Sequence, residues 1–186
     1  DNNYKLNLEL FNKQINDCQK CSLGSSRSNF VFGVGDANAS LLLVGEAPGE
    51  KEDLEGEPFV GRAGKLLDKI LSAIDRSRDK DVYICNVLKC RPPKNRDPLP
   101  TEVKECEPYL LHQINLIKPK LIVALGRVAG MTLLNVDNSL KSMRGQIHDY
   151  NGTKLIVTYH PAALLRNPNW KPEVWKDFKW IRSIID

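Results

Sequence analysis

The chain has 186 residues, with 27 Lys and Arg against 23 Asp and Glu and a formal net charge of +4. That length suits one ordinary domain, and the mild basicity admits a polyanionic partner without requiring one. A hydrophobic fraction of 41% with 27% charged residues excludes disorder as the main reading, and no apolar run approaches the roughly 20 residues that span a bilayer.

Leu6, Leu10 and Phe11 lie near helical spacing and predict a short helix leading to Cys18. Ser22–Asn29, rich in Gly, Ser and Asn, reads as loop. Four short apolar runs follow, Leu41–Val44, Val82–Cys85, Leu121–Leu125 and Leu155–Thr158, each ending in polar or glycine-containing sequence, as buried parallel strands do. Between them Leu66, Leu67, Ile70, Leu71 and Ile74 stripe a helix starting near Ala63. Val103, Cys106, Leu110, Ile114 and Ile117 stripe a second, with Thr101 as its expected N-cap. A third is expected from about Arg127, and Val174, Phe178, Ile181 and Ile185 stripe the last. Alternating strands and helices predict an α/β domain with a parallel sheet covered on both faces. Ligands of such sheets bind beyond the carboxyl ends of the strands. That rule selects four loops: 45–64, 86–101, 126–127 and 160–169.

The five cysteines, an odd number with no signal-peptide pattern ahead of them, argue against a disulfide framework and for a cytosolic setting. Cys85, inside an apolar run, reads as a buried small hydrophobe. Cys18 and Cys21 form a CxxC pair, and Cys90 and Cys106 are separated by fifteen residues. Four soft thiolates suit zinc or an iron–sulfur cluster, and spacing alone leaves the two equal.

In the first loop, Gly45-Glu46-Ala47-Pro48-Gly49 allows close backbone approach to a ligand, and Phe59, away from any amphipathic stripe, offers a ring face for stacking. Asn86 ends a strand and carries an amide that both donates and accepts, as reading the edge of a planar base requires. Lys89, Arg91, Lys94 and Arg96 follow, interleaved with prolines that stiffen the segment, and suit phosphate contact. His160 follows the last strand and is a candidate for polarising a substrate oxygen; Leu164 and Leu165 beside Arg166 suggest an apolar wedge with a phosphate grip. His112 and His148 lack such context and read as surface residues.

Taken in order, Gly45-Glu46-Ala47-Pro48-Gly49, Pro58-Phe59-Val60-Gly61, Asn86-Val87-Leu88-Lys89-Cys90-Arg91-Pro92-Pro93 and His160-Pro161-Ala162-Ala163-Leu164, with the four-cysteine pattern, resemble family 4 of the uracil-DNA glycosylase superfamily, its iron–sulfur branch. The resemblance spans about residues 15–183. It implies a three-layer α/β/α sandwich around a central four-stranded parallel sheet. Residues 1–186 would form one domain, its N-terminal helix and CxxC tied in by a [4Fe–4S] cluster on Cys18, Cys21, Cys90 and Cys106. It implies a base-excision repair enzyme acting on uracil in single- or double-stranded DNA, monomeric, in a prokaryotic cytoplasm, with no membrane partner. The uracil pocket would use Glu46, Ala47, Phe59, Asn86 and His160. DNA contacts would come from Arg62, Arg91, Lys94, Arg96, Leu164 as wedge, and Arg166. Catalysis would rest on His160, with Glu46 or Asn95 acting on water, because Ala47 stands where the superfamily's best-known branch has a water-activating carboxylate. A covalent uracil trap would carry a His in the basic insertion, and Arg91–Pro100 has none. A non-catalytic iron–sulfur module would not need Phe59, Asn86 and His160 together.

Overall fold

A computed structural model describes residues 2–186, with side chains from Asn7 onward, so the predicted Leu6 contact lies outside the described residues. In chain order the elements are α1 (Asn2–Ile15), α2 (Leu23–Ser26), β1 (Val34–Gly35), β2 (Leu41–Gly45), α3 (Glu50–Glu55), α4 (Arg62–Ala73), β3 (Val82–Asn86), α5 (Pro100–Ile117), β4 (Leu121–Leu125), α6 (Arg127–Leu134), α7 (Leu140–Met143), β5 (His148–Tyr150), β6 (Thr153–Thr158), α8 (Pro161–Arg166) and α9 (Lys171–Ile185). Among the described residues no helix is long and apolar enough to cross a membrane.

The four predicted strands form the parallel centre of the sheet, in the order β3-β2-β4-β6. Two short strands extend it to six: β1 pairs antiparallel with β3, and β5 antiparallel with β6. Sequence patterning missed both, because two- and three-residue edge strands carry no periodicity. His148 lies in β5, half-buried, with Nε2 2.8 Å from the Met143 carbonyl, so it is less a surface residue than expected. His112 is exposed and packs on Phe11.

Strand side chains alternate between faces, and the core divides accordingly. Leu42, Val44, Ile122, Ala124, Leu155 and Val157 meet α5 through Leu110, Ile114 and Ile117. Leu41, Leu43, Leu121, Val123 and Ile156 meet α4 and α9 through Leu67, Leu71, Phe178 and Ile181. The result is the expected α/β/α layering. The chain runs outward from β2 to β3 and then crosses back to β4, so the switch point of the sheet lies at the carboxyl ends of β2 and β4, where a doubly wound sheet opens a crevice.

Helix α5 starts two residues earlier than predicted, with Leu99 rather than Thr101 at its N-cap. Pro100 occupies its first turn, and the Glu102 carboxylate accepts from the Leu99 N–H at 2.9 Å, so Glu102 does the capping assigned to Thr101. Within the predicted loop 22–29, Leu23–Ser26 makes one helical turn that sets Leu23 against Cys90, Cys106 and Tyr109.

Candidate active site

Five sequence-selected residues, Ala47, Phe59, Asn86, Asn95 and His160, line one cavity of about 250 Å³ beyond the carboxyl ends of the strands, with Arg62 at its wall. The loop after β2 is held against the loop after β3 by Val87 N–H to the Gly45 carbonyl at 3.0 Å and Leu88 N–H to the Glu46 carbonyl at 3.1 Å. Gly45 is required by crowding: a Cβ there would lie 2.7 Å from Phe59 Cζ and would strike Asn86 Oδ1. Its missing side chain lets the Phe59 ring and the Asn86 amide converge. The Glu52 carboxylate accepts from Gly49 N–H at 3.0 Å and Val60 N–H at 3.1 Å, bracketing the loop from both ends.

Phe59 has a left-handed backbone (φ 54°), an unfavourable state for an aromatic residue. Arg78 holds it there. Its guanidinium donates to the Pro58 carbonyl at 2.7 Å and to the Phe59 carbonyl, and its Nε donates to Asp68 at 2.7 Å. A Cβ on Gly64 would overlap the Phe59 carbonyl, so the start of α4 packs directly under this peptide. The Phe59 ring, 6% exposed, stacks on His160 with centroids 5.2 Å apart and planes at 29°.

His160 is the N-cap of α8, and its Nδ1 accepts from the Ala162 N–H at 3.0 Å. Burial, helped by nearby Arg166, pushes its pKa down to about 4. The ring is therefore neutral at pH 7, and because Nδ1 accepts, the proton resides on Nε2. Beneath the loop, Thr158 Oγ1 donates to Asp177 at 2.6 Å, and Asp177 is clamped by two Arg144 bonds of 2.9 Å each. Asn86 is 2% exposed at the end of β3. Asn95 has a left-handed backbone (φ 56°), and its Oδ1 accepts from Arg91 Nε at 2.7 Å.

Other expected residues are placed differently. The Glu46 side chain is not on the cavity wall; burial, and then the neighbouring Asp97 carboxylate, raise its pKa to about 7. Leu164 is 1% exposed in the core under α8, because it lies one turn after buried Pro161 on the inward face; the exposed apolar side chain is Leu165. Arg96 is committed to Glu102 through bonds of 2.8 and 2.7 Å, which leave its charge neutralised; Lys94 and Arg166 are exposed, and Arg91 is half-buried. Lys89, expected to suit phosphate contact, is instead 0% exposed. Arg78 and Asp97 lie outside every motif, and only spatial proximity reveals their part.

Cys18, Cys21, Cys90 and Cys106 line a second cavity, beside Arg27 and Tyr109, whereas Cys85 is wholly buried away from it. The sulfurs accept hydrogen bonds: Tyr109 Oη to Cys18 at 3.1 Å, Arg27 Nη1 to Cys90 at 3.3 Å, and Lys89 N–H to Cys106 at 3.3 Å. Burial raises the Cys106 thiol to about 11, so its thiolate form needs cationic compensation. A single tetrahedral ion would draw four sulfurs to within about 3.8 Å of one another. Among the described residues no group of three or more His, Cys, Asp or Glu side chains is arranged to hold a metal ion. Four thiols around one cavity, three of them accepting a hydrogen bond, are a donor set of the kind a thiolate-bound metal centre uses.

The sequence matches the family model of the uracil DNA glycosylase superfamily over residues 32–179. It is 46% identical to a type-4 uracil-DNA glycosylase of Archaeoglobus fulgidus over 180 residues, covering 92% of this chain and 90% of that one. It is 43% identical to that of Saccharolobus solfataricus, covering 96% and 87%. For the Thermotoga maritima protein the identity is 45%, covering 86% and 84%. With matches over nearly the full length of archaeal and bacterial type-4 proteins, and the cavity built from the superfamily's four motifs, this chain belongs to the type-4 uracil-DNA glycosylase family.

Proposed function

We propose that this protein removes uracil from DNA, hydrolysing the N-glycosidic bond and leaving an abasic site for base excision repair. The observation that carries the reading is the convergence of three groups on one cavity: the Phe59 ring, the Asn86 amide, and a neutral His160 with its proton on Nε2.

Uracil in a duplex reaches such a cavity only after leaving the stack, at a cost of a few kcal/mol. Leu165 takes the wedge role expected of Leu164, since it is the exposed apolar side chain beside Arg166. Arg62 on the cavity wall, with exposed Lys94 and Arg166 and half-buried Arg91, binds phosphates; Arg96, neutralised by Glu102, does not. Phe59 stacks on the extruded ring. Asn86 donates to O4 and accepts from N3–H, a pattern that cytosine cannot satisfy because it presents a donor at position 4.

As the glycosidic bond lengthens, the sugar approaches an oxocarbenium ion and negative charge collects on the uracil O2. The Nε2–H of His160 donates to that oxygen, and the bond strengthens as charge develops. A donor so placed contributes roughly 3–4 kcal/mol to the transition state. Neutrality helps, because the Ala162 N–H fixes the tautomer without a proton having to be lost first. Asn95, held by Arg91, orients the water that captures the sugar cation. Glu46 acts from behind the cavity wall rather than as a base on that water.

Cys18, Cys21, Cys90 and Cys106 would hold an iron–sulfur cluster, [4Fe–4S], and such a cluster would tie the N-terminal segment to the loop after β3 and to α5 within one domain. When bound, the cluster supplies structure rather than a chemical step. The test is incubation with a uracil-containing oligonucleotide followed by alkali. Strand scission at the uracil supports the reading, and an intact strand with iron-replete protein refutes it.

A further inference from the structure

The chemistry above uses His160 but not the aromatic pair beside it. Tyr159, the residue before His160, stacks on Trp170 with ring centroids 4.9 Å apart and planes at 23°. Trp170 closes a single 3₁₀ turn, Pro168–Trp170. Pro168 pre-sets that turn, and Asn167 Oδ1 accepts from the Asn169 N–H at 3.3 Å. The tyrosine is fixed as well: its hydroxyl donates to Glu173 at 2.6 Å, and the Arg144 guanidinium lies 4.9 Å from its ring centre. The indole is therefore held in a set orientation, yet it is 37% exposed, on the same segment as exposed Leu165 and Arg166.

The charge beside this pair is positive. Arg144 also lines a cavity of about 330 Å³ together with Lys141, Lys176, Asp177 and Trp180. The Asp177 carboxylate is taken up by two Arg144 bonds of 2.9 Å and by the Thr158 hydroxyl at 2.6 Å. Glu173, which accepts from Tyr159, lies 3.9 Å from Arg144. Lys141 and Lys176 are exposed and leave the cavity basic. Thr158, Tyr159 and His160 are consecutive, so the basic cavity, the aromatic pair and the donor to O2 follow one another at the carboxyl end of β6. A fixed ring face next to a basic cavity matches a single nucleic-acid strand, in which every base has a π-face and every linkage a negative charge.

We infer that Trp170, backed by Tyr159, stacks an unpaired base of the substrate strand beside the extruded uracil, while Lys141 and Lys176 hold the phosphates that lead away from it. The inference rests on the uracil-excision reading for the place of the strand, and its ligand class is single-stranded DNA. Stacking on a ring face is tolerant of sequence, so the site takes any neighbouring base. Because the ring is already ordered, little conformational freedom is lost on binding, and the contact offsets part of the cost of unstacking.

The three tryptophans of the chain are Trp170, Trp175 and Trp180, so intrinsic fluorescence reports on this region. A uracil-free single-stranded oligonucleotide is titrated into intact wild-type protein, Trp170→Leu, Trp170→Phe, Trp175→Phe and the double variant Lys141→Ala/Lys176→Ala. Excision kcat and KM on a uracil-containing single strand are measured beside it. Saturable quenching is expected in wild type and Trp175→Phe, and its loss in both Trp170 variants. Trp170→Leu is expected to raise KM about tenfold with kcat unchanged, the effect of one lost base–aromatic stack, and Trp170→Phe to restore most of that loss. The lysine double variant is expected to lower the slope of log affinity against log salt by about 1.4, two single-strand phosphate contacts. Quenching that persists without Trp170, or that inorganic polyphosphate or a uracil-free duplex produces equally, overturns the stacking role. So does a KM unchanged in Trp170→Leu, or a loss confined to kcat or Tm. If Trp170→Leu does not fold, quenching in Trp170→Phe decides alone. An unchanged salt slope overturns the phosphate contacts. Absence of excision by wild type refutes the functional reading instead, and is told apart because the quenching titration contains no uracil.

Discussion

Arg78→Ala tests whether the active-site ring is held by a residue outside every motif. The guanidinium makes two bonds to the Pro58 and Phe59 carbonyls, one to Asp68 and a longer one of 3.4 Å to the half-exposed Glu57 carboxylate, with its side chain 19% exposed. A charged donor to a carbonyl contributes roughly 1.5–3 kcal/mol, so the two are worth about 3–6 kcal/mol before compensation. The Asp68 pair adds under about 1 kcal/mol, because that carboxylate is solvated. Against this, releasing Phe59 from its left-handed backbone recovers about 1–2 kcal/mol, and the freed carbonyls regain water. That difference is about 1–5 kcal/mol, centred near 3, and rehydration of the freed carbonyls brings the working figure to about 2–3 kcal/mol of lost order in the Phe59 loop. Carried fully into the excision barrier, that slows single-turnover uracil release roughly 30- to 150-fold at 1.36 kcal/mol per decade. The assay is single-turnover excision in wild type, Arg78→Ala, Phe59→Ala and the double variant, with thermal unfolding alongside. Because Arg78 acts through Phe59, the double variant should be little slower than Phe59→Ala. Additive losses, or a fall in Tm with excision intact, would refute the reasoning.

His160→Ala should slow excision about 100- to 1,000-fold, the loss of one donor to a developing oxyanion, with the affinity for DNA little changed; a binding assay beside single-turnover kinetics checks the split. His160 is held below its ordinary pKa, at about 4, so the unfolded chain binds the extra proton first as pH falls. The neutral ring's share of stability is therefore complete above about pH 6.5 and is lost progressively toward pH 4, and His160→Asn should flatten that limb of a denaturation-against-pH series. Leu164→Ala should destabilise the fold by about 2–5 kcal/mol as a core truncation. Leu165→Ala should leave Tm unchanged and slow excision from duplex DNA more than from single strands.

Much of this site was legible before any coordinates. The strand runs at Leu41, Val82, Leu121 and Leu155 placed four carboxyl-end loops at one rim, and chemistry-bearing residues cluster there because side-chain alternation leaves only the loops free to serve a ligand. What stayed hidden depended on the third dimension. Leu164 and Leu165 read alike in sequence, and only the phase of α8, set by buried Pro161, decides which faces the core. Arg96 looked like a free cation until Glu102, capping α5, took up its charge. Lys89 sat in a basic run, where charges are ordinarily solvated. Its burial follows from the direction of the chain: Val87 and Leu88 are already inside, and the next side chain continues toward Gln113. Arg78 had no signal at all, since its task is to fix a backbone whose left-handed conformation the sequence does not declare.

The most direct test of the account is the protonation state of His160 in the presence of product. The chain has three histidines, so ¹⁵N spectra of histidine-labelled protein are assignable with single substitutions. With abasic DNA and uracil bound at pH 7, the account predicts a neutral ring, protonated at Nε2, whose Nε2 resonance moves on uracil binding while Nδ1 stays an acceptor. An imidazolium, a proton on Nδ1, or an Nε2 resonance indifferent to uracil would contradict it.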